Sequence, residues 1–239
     1  MTTPTEDTGA APEEYRQPKF EPPPGSTEFL LVRHGESAPA RPDVPFRLVD
    51  GHADPDLAPE GREQAVRVAE RLSFAKIDHI YVTSLIRTVQ TAEPLVQRLG
   101  MTPKVEAGLR EVYLGEWEGG LFRKMVAENG EIAQRLWTEQ RWDVIPGAEP
   151  AERFAARVKE AIERLATAHP DETVAVFTHG GVIGQVMALA AQSRPFAFIG
   201  ADNASISHVV LTPQVWIPRR FNDTAHLDPA FSLVPAPLT

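Results

Sequence analysis

Two apolar runs in this chain end in the same way, Leu31-Val32-Arg33-His34-Gly35 and Phe177-Thr178-His179-Gly180-Gly181. Each places a histidine after residues that read as a buried strand and before a glycine, which lets backbone or ligand approach closely. A histidine at the end of a buried strand suits an anion better than it suits packing, and two of them predict a pair facing one phosphate. Around them strand and helix patterns alternate. Strands are predicted over 28–33, 77–83, 104–107 and 173–178, and helices over 59–74, 84–99, 150–168 and 182–191, with two short helices between Phe122 and Gln140. The helical spacing is explicit at Ala65, Val68, Ala69 and Leu72, and again at Phe154, Val158, Ala161, Ile162 and Leu165. Such alternation predicts an α/β fold: a mostly parallel sheet with helices on both faces, in three layers. Ligands of such sheets bind beyond the carboxyl ends of the strands, where Arg33-His34 and His179 lie. Strands over 205–211 and 215–221, joined at Thr212-Pro213, are expected near a sheet edge, and 222–239 reads as irregular.

Composition narrows the chemistry. At 239 residues the chain needs only one core. Residues 1–25 hold six prolines among acidic and small residues and are expected to form a mobile tail, leaving 26–239 as a single domain. A net charge of -9 argues against nucleic acid as a partner and against a basic membrane-binding patch, so a phosphate site must be a local positive pocket. The chain has no cysteine, which removes disulfides, cysteine-ligated zinc and a cysteine nucleophile. No apolar run approaches a membrane span, and residues 1–25 lack a basic start and an apolar core, so the expected location is cytoplasmic.

An ordered set of segments carries a resemblance. Arg33-His34-Gly35 is followed by Gly61 with Gln64-Ala65, then by Ser84-Leu85-Ile86-Arg87-Thr88-Val89-Gln90-Thr91-Ala92. Leu109-Arg110-Glu111 and Gly115-Glu116-Trp117-Glu118-Gly119 come next, then His179-Gly180-Gly181 and Asn222-Asp223-Thr224-Ala225-His226-Leu227. Over about 28–227 the chain resembles the histidine phosphatase, or phosphoglycerate-mutase-like, superfamily. The resemblance implies that fold and a phosphoric monoester hydrolase of the histidine acid phosphatase type. It implies that Arg33, Arg87, His179 and Gly180 bind phosphate and that His34 attacks phosphorus to give a phosphohistidine. Glu111 would protonate the leaving alcohol and then activate water, with Glu116 and Glu118 as nearby rivals. His179 would complete the catalytic set, and the first helix turns after His34 and His179 would add backbone N–H groups. No metal and no cofactor are implied, and the partner is a small phosphorylated substrate.

The same superfamily holds mutases. The interval from Glu111 to His179 is short, without a long basic insertion, and Ala38-Pro39-Ala40 stands where mutases have tryptophan and asparagine. These departures favour the hydrolase, with mutase-type phosphoryl transfer and an idle phospho-ligand binder as alternatives. The loop 38–53, with Arg41, Arg47 and His52, and the segment 122–142, with Trp137 and Trp142, are expected to roof the pocket or, for the tryptophans, to join the core. Glu36 and Ser37 would line the pocket or cap the next turn. His79, His169 and His208 read as structural or solvent-facing, and His226 as packing. His52, Asp54 and Asp56 suggest a metal site or an Asp-x-Asp phosphatase motif, but no apolar strand precedes them and 49–53 reads as loop. Asn203-Ala204-Ser205 is a formal glycosylation sequon without meaning in a cytoplasmic chain. A homodimer is left open.

Overall fold

The computed structural model describes residues 14–41 and 43–228. Most of the predicted tail, residues 1–13, therefore lies outside the described residues. Residues 14–22 form no helix or strand, and Phe20 stacks under the Arg219 guanidinium at 3.8 Å.

Six strands form one sheet. These are β1 (Thr27–Arg33), β4 (His79–Val82), β5 (Lys104–Val105), β6 (Thr173–Thr178), β7 (Ile206–Leu211) and β8 (Trp216–Asp223), in the spatial order β5-β4-β6-β1-β7-β8. The first four are parallel; β7 runs antiparallel to β1, and β8 antiparallel to β7. The predicted mostly parallel sheet is present, and the last two strands do form an edge, with β8 running two residues further than expected.

Strand alternation assigns each helix pair its face. Val174 and Val176 point to α5 (Ala151–Ala168) and α6 (Gly180–Ala191), where they meet Phe154, Val158, Ile162 and Ile183. Ala175 and Phe177 point the other way, to α1 (Pro59–Leu72) and α2 (Ile86–Leu99), among Val68, Ala69, Leu72 and Leu95. Because both faces are covered, β6 is buried throughout except at its first residue, which is why it reads as a continuous apolar run. The two short helices, α3 (Leu121–Glu128) and α4 (Glu131–Glu139), build a separate cluster around Trp117, Leu136 and Ile145.

Two local readings are corrected. Residues 48–53, expected as loop, form a small hairpin of β2 (Leu48–Val49) and β3 (His52–Ala53). Its turn residues Asp50 and Gly51 both have positive φ, 49° and 85°, the backbone that an Asp-Gly pair supplies in a two-residue hairpin. Helix α6 starts at Gly180 rather than Val182, directly after His179, its N-cap residue. Among the described residues no helix is long and apolar enough to cross a membrane.

Candidate active site

The parallel pairing of β1 with β6 sets Arg33 opposite Thr178, so the next residue of each strand, His34 and His179, emerges side by side. The His34 amide donates to the Thr178 carbonyl at 3.0 Å, and the two imidazole centroids lie 5.3 Å apart, edge to face. Both histidines are buried. Nδ1 of His34 is 2.8 Å from the Gly35 carbonyl, which can only accept, so Nδ1 carries the proton and Nε2 keeps its lone pair. Burial first, then the Arg87 and Arg33 guanidinium charges, hold His34 well below the ordinary histidine pKa. His179 is pushed the same way by burial, then by Arg87 and His34. Its Nε2 meets the Thr83 hydroxyl at 3.0 Å, while Nδ1 has no hydrogen-bond partner among the described residues.

Arg33 and Arg87 line the same cavity as His34 and Gly180. Burial lowers the pKa of Arg33, and that of Arg87 to about 10, which leaves Arg87 protonated at neutral pH. Arg33 donates to the Ala201 carbonyl, and Arg87 to that of Ala53 at 2.8 Å. Arg87 is aimed by Asp54, 4.0 Å away, whose carboxylate also accepts the Ile86 amide at 2.7 Å at the start of α2 and an ion pair from Arg47 at 3.1 Å. Asp54 thus has a structural task that the sequence reading did not find.

Among the three candidate carboxylates, geometry separates the rivals. Glu116 is exposed. Glu118 lines the cavity away from the His179 segment, with its two oxygens on the amides of Ala53 at 2.7 Å and Leu114 at 3.0 Å. Glu111 faces the cavity, with its oxygens on the amides of Val112 at 3.0 Å and Gly181 at 3.2 Å. A Cβ on Gly181 would overlap the Glu111 carboxylate, so glycine at this position makes room for it. The loop that carries Glu111 is fixed by Arg157 of α5, which donates to the carbonyls of Gly108, Arg110 and Glu111. Nothing in its local sequence marked Arg157.

Several expectations are revised. His34 is followed by loop, not by a helix turn: the Gly35 amide goes to Thr91 Oγ1 and the Glu36 amide to Gln64 Oε1. Gly61 has no room for a side chain because a Cβ there would meet the Glu36 backbone. Of the two expected helix turns, the one after His179 is present as the start of α6, and its Gly181 amide is taken by Glu111. His179 is fully buried beside His34, with its Nδ1 unpartnered among the described residues. Ser37 lines the cavity and accepts from Arg123 at 2.6 Å, whereas Glu36 is exposed. Asn203, read in the sequence only as part of a sequon, donates its side-chain amide to the His34 carbonyl at 3.0 Å. Trp137 and Trp142 both line the cavity and also pack on Phe196, so the two expectations for them hold together.

His52, Asp54 and Asp56 do not converge. His52 stacks on Tyr113, and Asp56 accepts from Gln90. Among the described residues the one group with donor atoms close enough for a cation is His79, His169 and Glu172, at the opposite end of the sheet. There one Glu172 oxygen accepts from both rings, at 3.0 and 2.8 Å, which satisfies the cluster as it stands. His208 pairs with Glu28 and His226 bonds to the Ala204 carbonyl, as structural histidines do.

An α/β sheet here brings two buried histidines and two arginines together at its carboxyl edge, an arrangement whose charge suits an anion. Residues 29–224 match the histidine phosphatase superfamily (branch 1), and the chain belongs to that family. It is 36% identical over 174 residues to phosphoglycerate mutase-like protein 4 of Arabidopsis thaliana, covering 71% of this chain and 72% of the relative. To the metal-independent phosphoserine phosphatase of the same plant it is 30% identical over 207 residues, 84% of this chain and 83% of the relative. The structure of a mycobacterial glucosyl-3-phosphoglycerate phosphatase with VO3 superposes with a TM-score of 0.68 at 28% identity, over 82% of this chain and 99% of that one.

Proposed function

We propose that this protein is a metal-independent phosphomonoesterase working through a phosphohistidine on Nε2 of His34. The observation that carries the reading is the His34–Gly35 hydrogen bond, which fixes the proton on Nδ1 and presents Nε2 as a bare nucleophile between two guanidinium groups. Arg33 and Arg87 hold the phosphoryl oxygens, and Gly180 and the His179 ring close the pocket. The His34 lone pair forms the N–P bond as the ester P–O bond breaks, and Glu111 gives its proton to the leaving oxygen. Glu111 then takes a proton from water, whose oxygen attacks phosphorus. The N–P bond breaks, releasing phosphate and returning neutral His34 and protonated Glu111. The permanent arginine charges do the neutralising for which other phosphatases use cations.

The same proposal takes residues 26–239 as one domain acting in the cytoplasm on a small phosphorylated substrate. Mutase-type transfer is the second reading, favoured by the name of the 36% identical plant relative. The test is phosphate release from a panel of monoesters in EDTA, with wild type beside His34→Ala. Release that tolerates EDTA and is lost in a folded His34→Ala supports the proposal. Turnover that survives in that variant refutes the nucleophile, and release only with a bisphosphate primer favours the mutase.

A further inference from the structure

The cavity in front of His34 changes character beyond the phosphate pocket. Its outer wall is built from Phe46, Leu114, Phe122, Trp137, Trp142 and Ile199. Phe122 sits 6.1 Å from Trp142, which lies 5.0 Å from Phe196, so the wall is a continuous aromatic surface carried by the α3–α4 insertion. All six lining side chains are only partly buried. They have surface left for a ligand, unlike the sealed residues of the main core.

The charged groups of the same wall are already engaged. Arg123 directs its two terminal nitrogens to the Ala38 carbonyl and Ser37 Oγ, at 2.8 and 2.6 Å, with its guanidinium 5.9 Å from the Phe46 ring. Both oxygens of Glu118 accept backbone amides. Once Arg33 and Arg87 hold the phosphoryl group, Arg123 is the cation left among the described residues of the wall, and its guanidinium is turned to the Ser37–Ala38 segment. A zwitterionic or carboxylated leaving group would have to draw Arg123 from these bonds or leave its charge facing indole and phenyl rings, at a desolvation penalty.

We infer that the substrates of this site are monophosphates of compact, uncharged, apolar alcohols, with an aromatic or branched aliphatic group seated against Phe122, Trp137 and Trp142. The cavity, phosphate pocket included, measures about 150 Å³, so the space left for the alcohol is small. That suits a single ring or short branched chain, not a glycoside. The inference rests on the phosphatase reading above and differs in substrate from the activities named for the relatives.

The experiment compares 2-phenylethyl phosphate with O-phosphoserine, 3-phosphoglycerate and ethyl phosphate. All four are primary alkyl esters, so leaving-group basicity does not decide the ranking. The expected result is a kcat/KM for 2-phenylethyl phosphate at least about tenfold above those of the two charged esters, the scale on which pocket contacts discriminate. In Phe122→Ala and in Trp142→Ala the ratio of 2-phenylethyl to ethyl phosphate should fall about tenfold. The ratio within one enzyme preparation cancels any loss of folded protein. A wild-type preference for phosphoserine or 3-phosphoglycerate overturns the inference and leaves the phosphatase reading standing, as does an unchanged ratio in both variants. No release from any of the four esters overturns both.

Discussion

Arg157 offers the most direct test of how the Glu111 loop is held. All five of its N–H groups are used: Nε and Nη2 fork onto Glu149 at 2.8 Å each, Nη1 holds the Gly108 and Arg110 carbonyls, and Nη2 also holds that of Glu111 at 2.9 Å. Arg157→Met keeps an unbranched stem but removes all five bonds and the guanidinium that lies 4.9 Å from the Phe154 ring. Glu149, with 9% of its side chain exposed, is then left as an unpaired carboxylate. Breaking a buried pair from one side costs about 3–5 kcal/mol. Because the Arg157 side chain is 23% exposed, the low end applies, about 3 kcal/mol. For a domain of this size that lowers Tm by about 6–12 °C, which a folded enzyme survives at 20 °C.

The catalytic effect should be larger than the thermal one suggests. Three carbonyls that orient the loop are released together, and a misplacement of about 1 Å in a catalytic group lowers turnover by roughly 10²-fold. Because Arg157 acts through Glu111, the loss should depend on the leaving group. Ethyl phosphate needs its leaving oxygen protonated and should lose about 10²-fold in kcat, whereas 4-nitrophenyl phosphate should lose under about tenfold. Circular dichroism and Tm fix the folded fraction, and kcat on the two esters gives the split. Equal losses on both esters, or full activity at a lowered Tm, would refute the reasoning that Arg157 positions the acid.

Glu111→Gln should show the same leaving-group split more strongly, with kcat on alkyl esters down about 10²–10⁴-fold; equal losses on both ester types would move the acid role elsewhere. Gly181→Ala should keep or raise Tm, since alanine is the better helix former by about 1 kcal/mol, yet the new Cβ displaces the Glu111 carboxylate; unchanged kcat on ethyl phosphate would sink that reading. His34 and His179 should stay neutral as pH falls through 6.5, the ordinary histidine value, and imidazole NMR titration checks this directly; either ring titrating at or above 6.5 would contradict it. Since both folded pKa values are depressed, the unfolded chain takes up these protons first. The stability they supply is full above about pH 6.5 and declines as pH falls toward their folded values, a trend that Tm at pH 7 and pH 5 measures.

What the sequence discloses of this site is what lies in short, periodic stretches. The strand–histidine–glycine segments are legible because a buried strand is a continuous apolar run and its end is marked by glycine. Helices α1, α2 and α5 are legible because each buries one stripe. The supports are long-range and carry no local signature. Asp54 aims Arg87 across 33 positions, Arg157 holds Glu111 across 46, and Asn203 holds the His34 carbonyl across 169. Each looks like an ordinary polar surface residue until the fold closes. The start of α6 was missed because Gly180-Gly181 is a poor helix former, and its presence is explained by Glu111, a residue 70 positions away. The Asp50-Gly51 hairpin is different, because its turn signal is local and readable in the chain.

On the proposed function, an acidic chain would select a phosphoryl dianion by local charge alone. Desolvation lowers the pKa of both arginines and keeps both histidines neutral, so the pocket's positive charge comes from guanidinium alone. The neutral histidines must then act through the placement of single protons. Gly35 settles His34, as a carbonyl can only accept. His179 depends on Thr83, whose one hydroxyl proton has two takers at 3.0 Å, Thr88 Oγ1 and His179 Nε2. Thr88 already donates to the Leu85 carbonyl at 2.8 Å, so it can accept from Thr83. When Thr83 donates to Nε2 instead, the His179 proton sits on Nδ1, the atom without a protein partner, and becomes a donor for an anion. On the proposed function, a bound phosphoryl group would favour that tautomer and be favoured by it. Thr83→Val removes the choice, leaves Nε2 buried without a donor, and should weaken vanadate inhibition about 5–150-fold, the range that 1–3 kcal/mol for one unsatisfied buried group implies. Unchanged vanadate affinity in a folded Thr83→Val would show that the His179 proton is placed by something other than this hydroxyl.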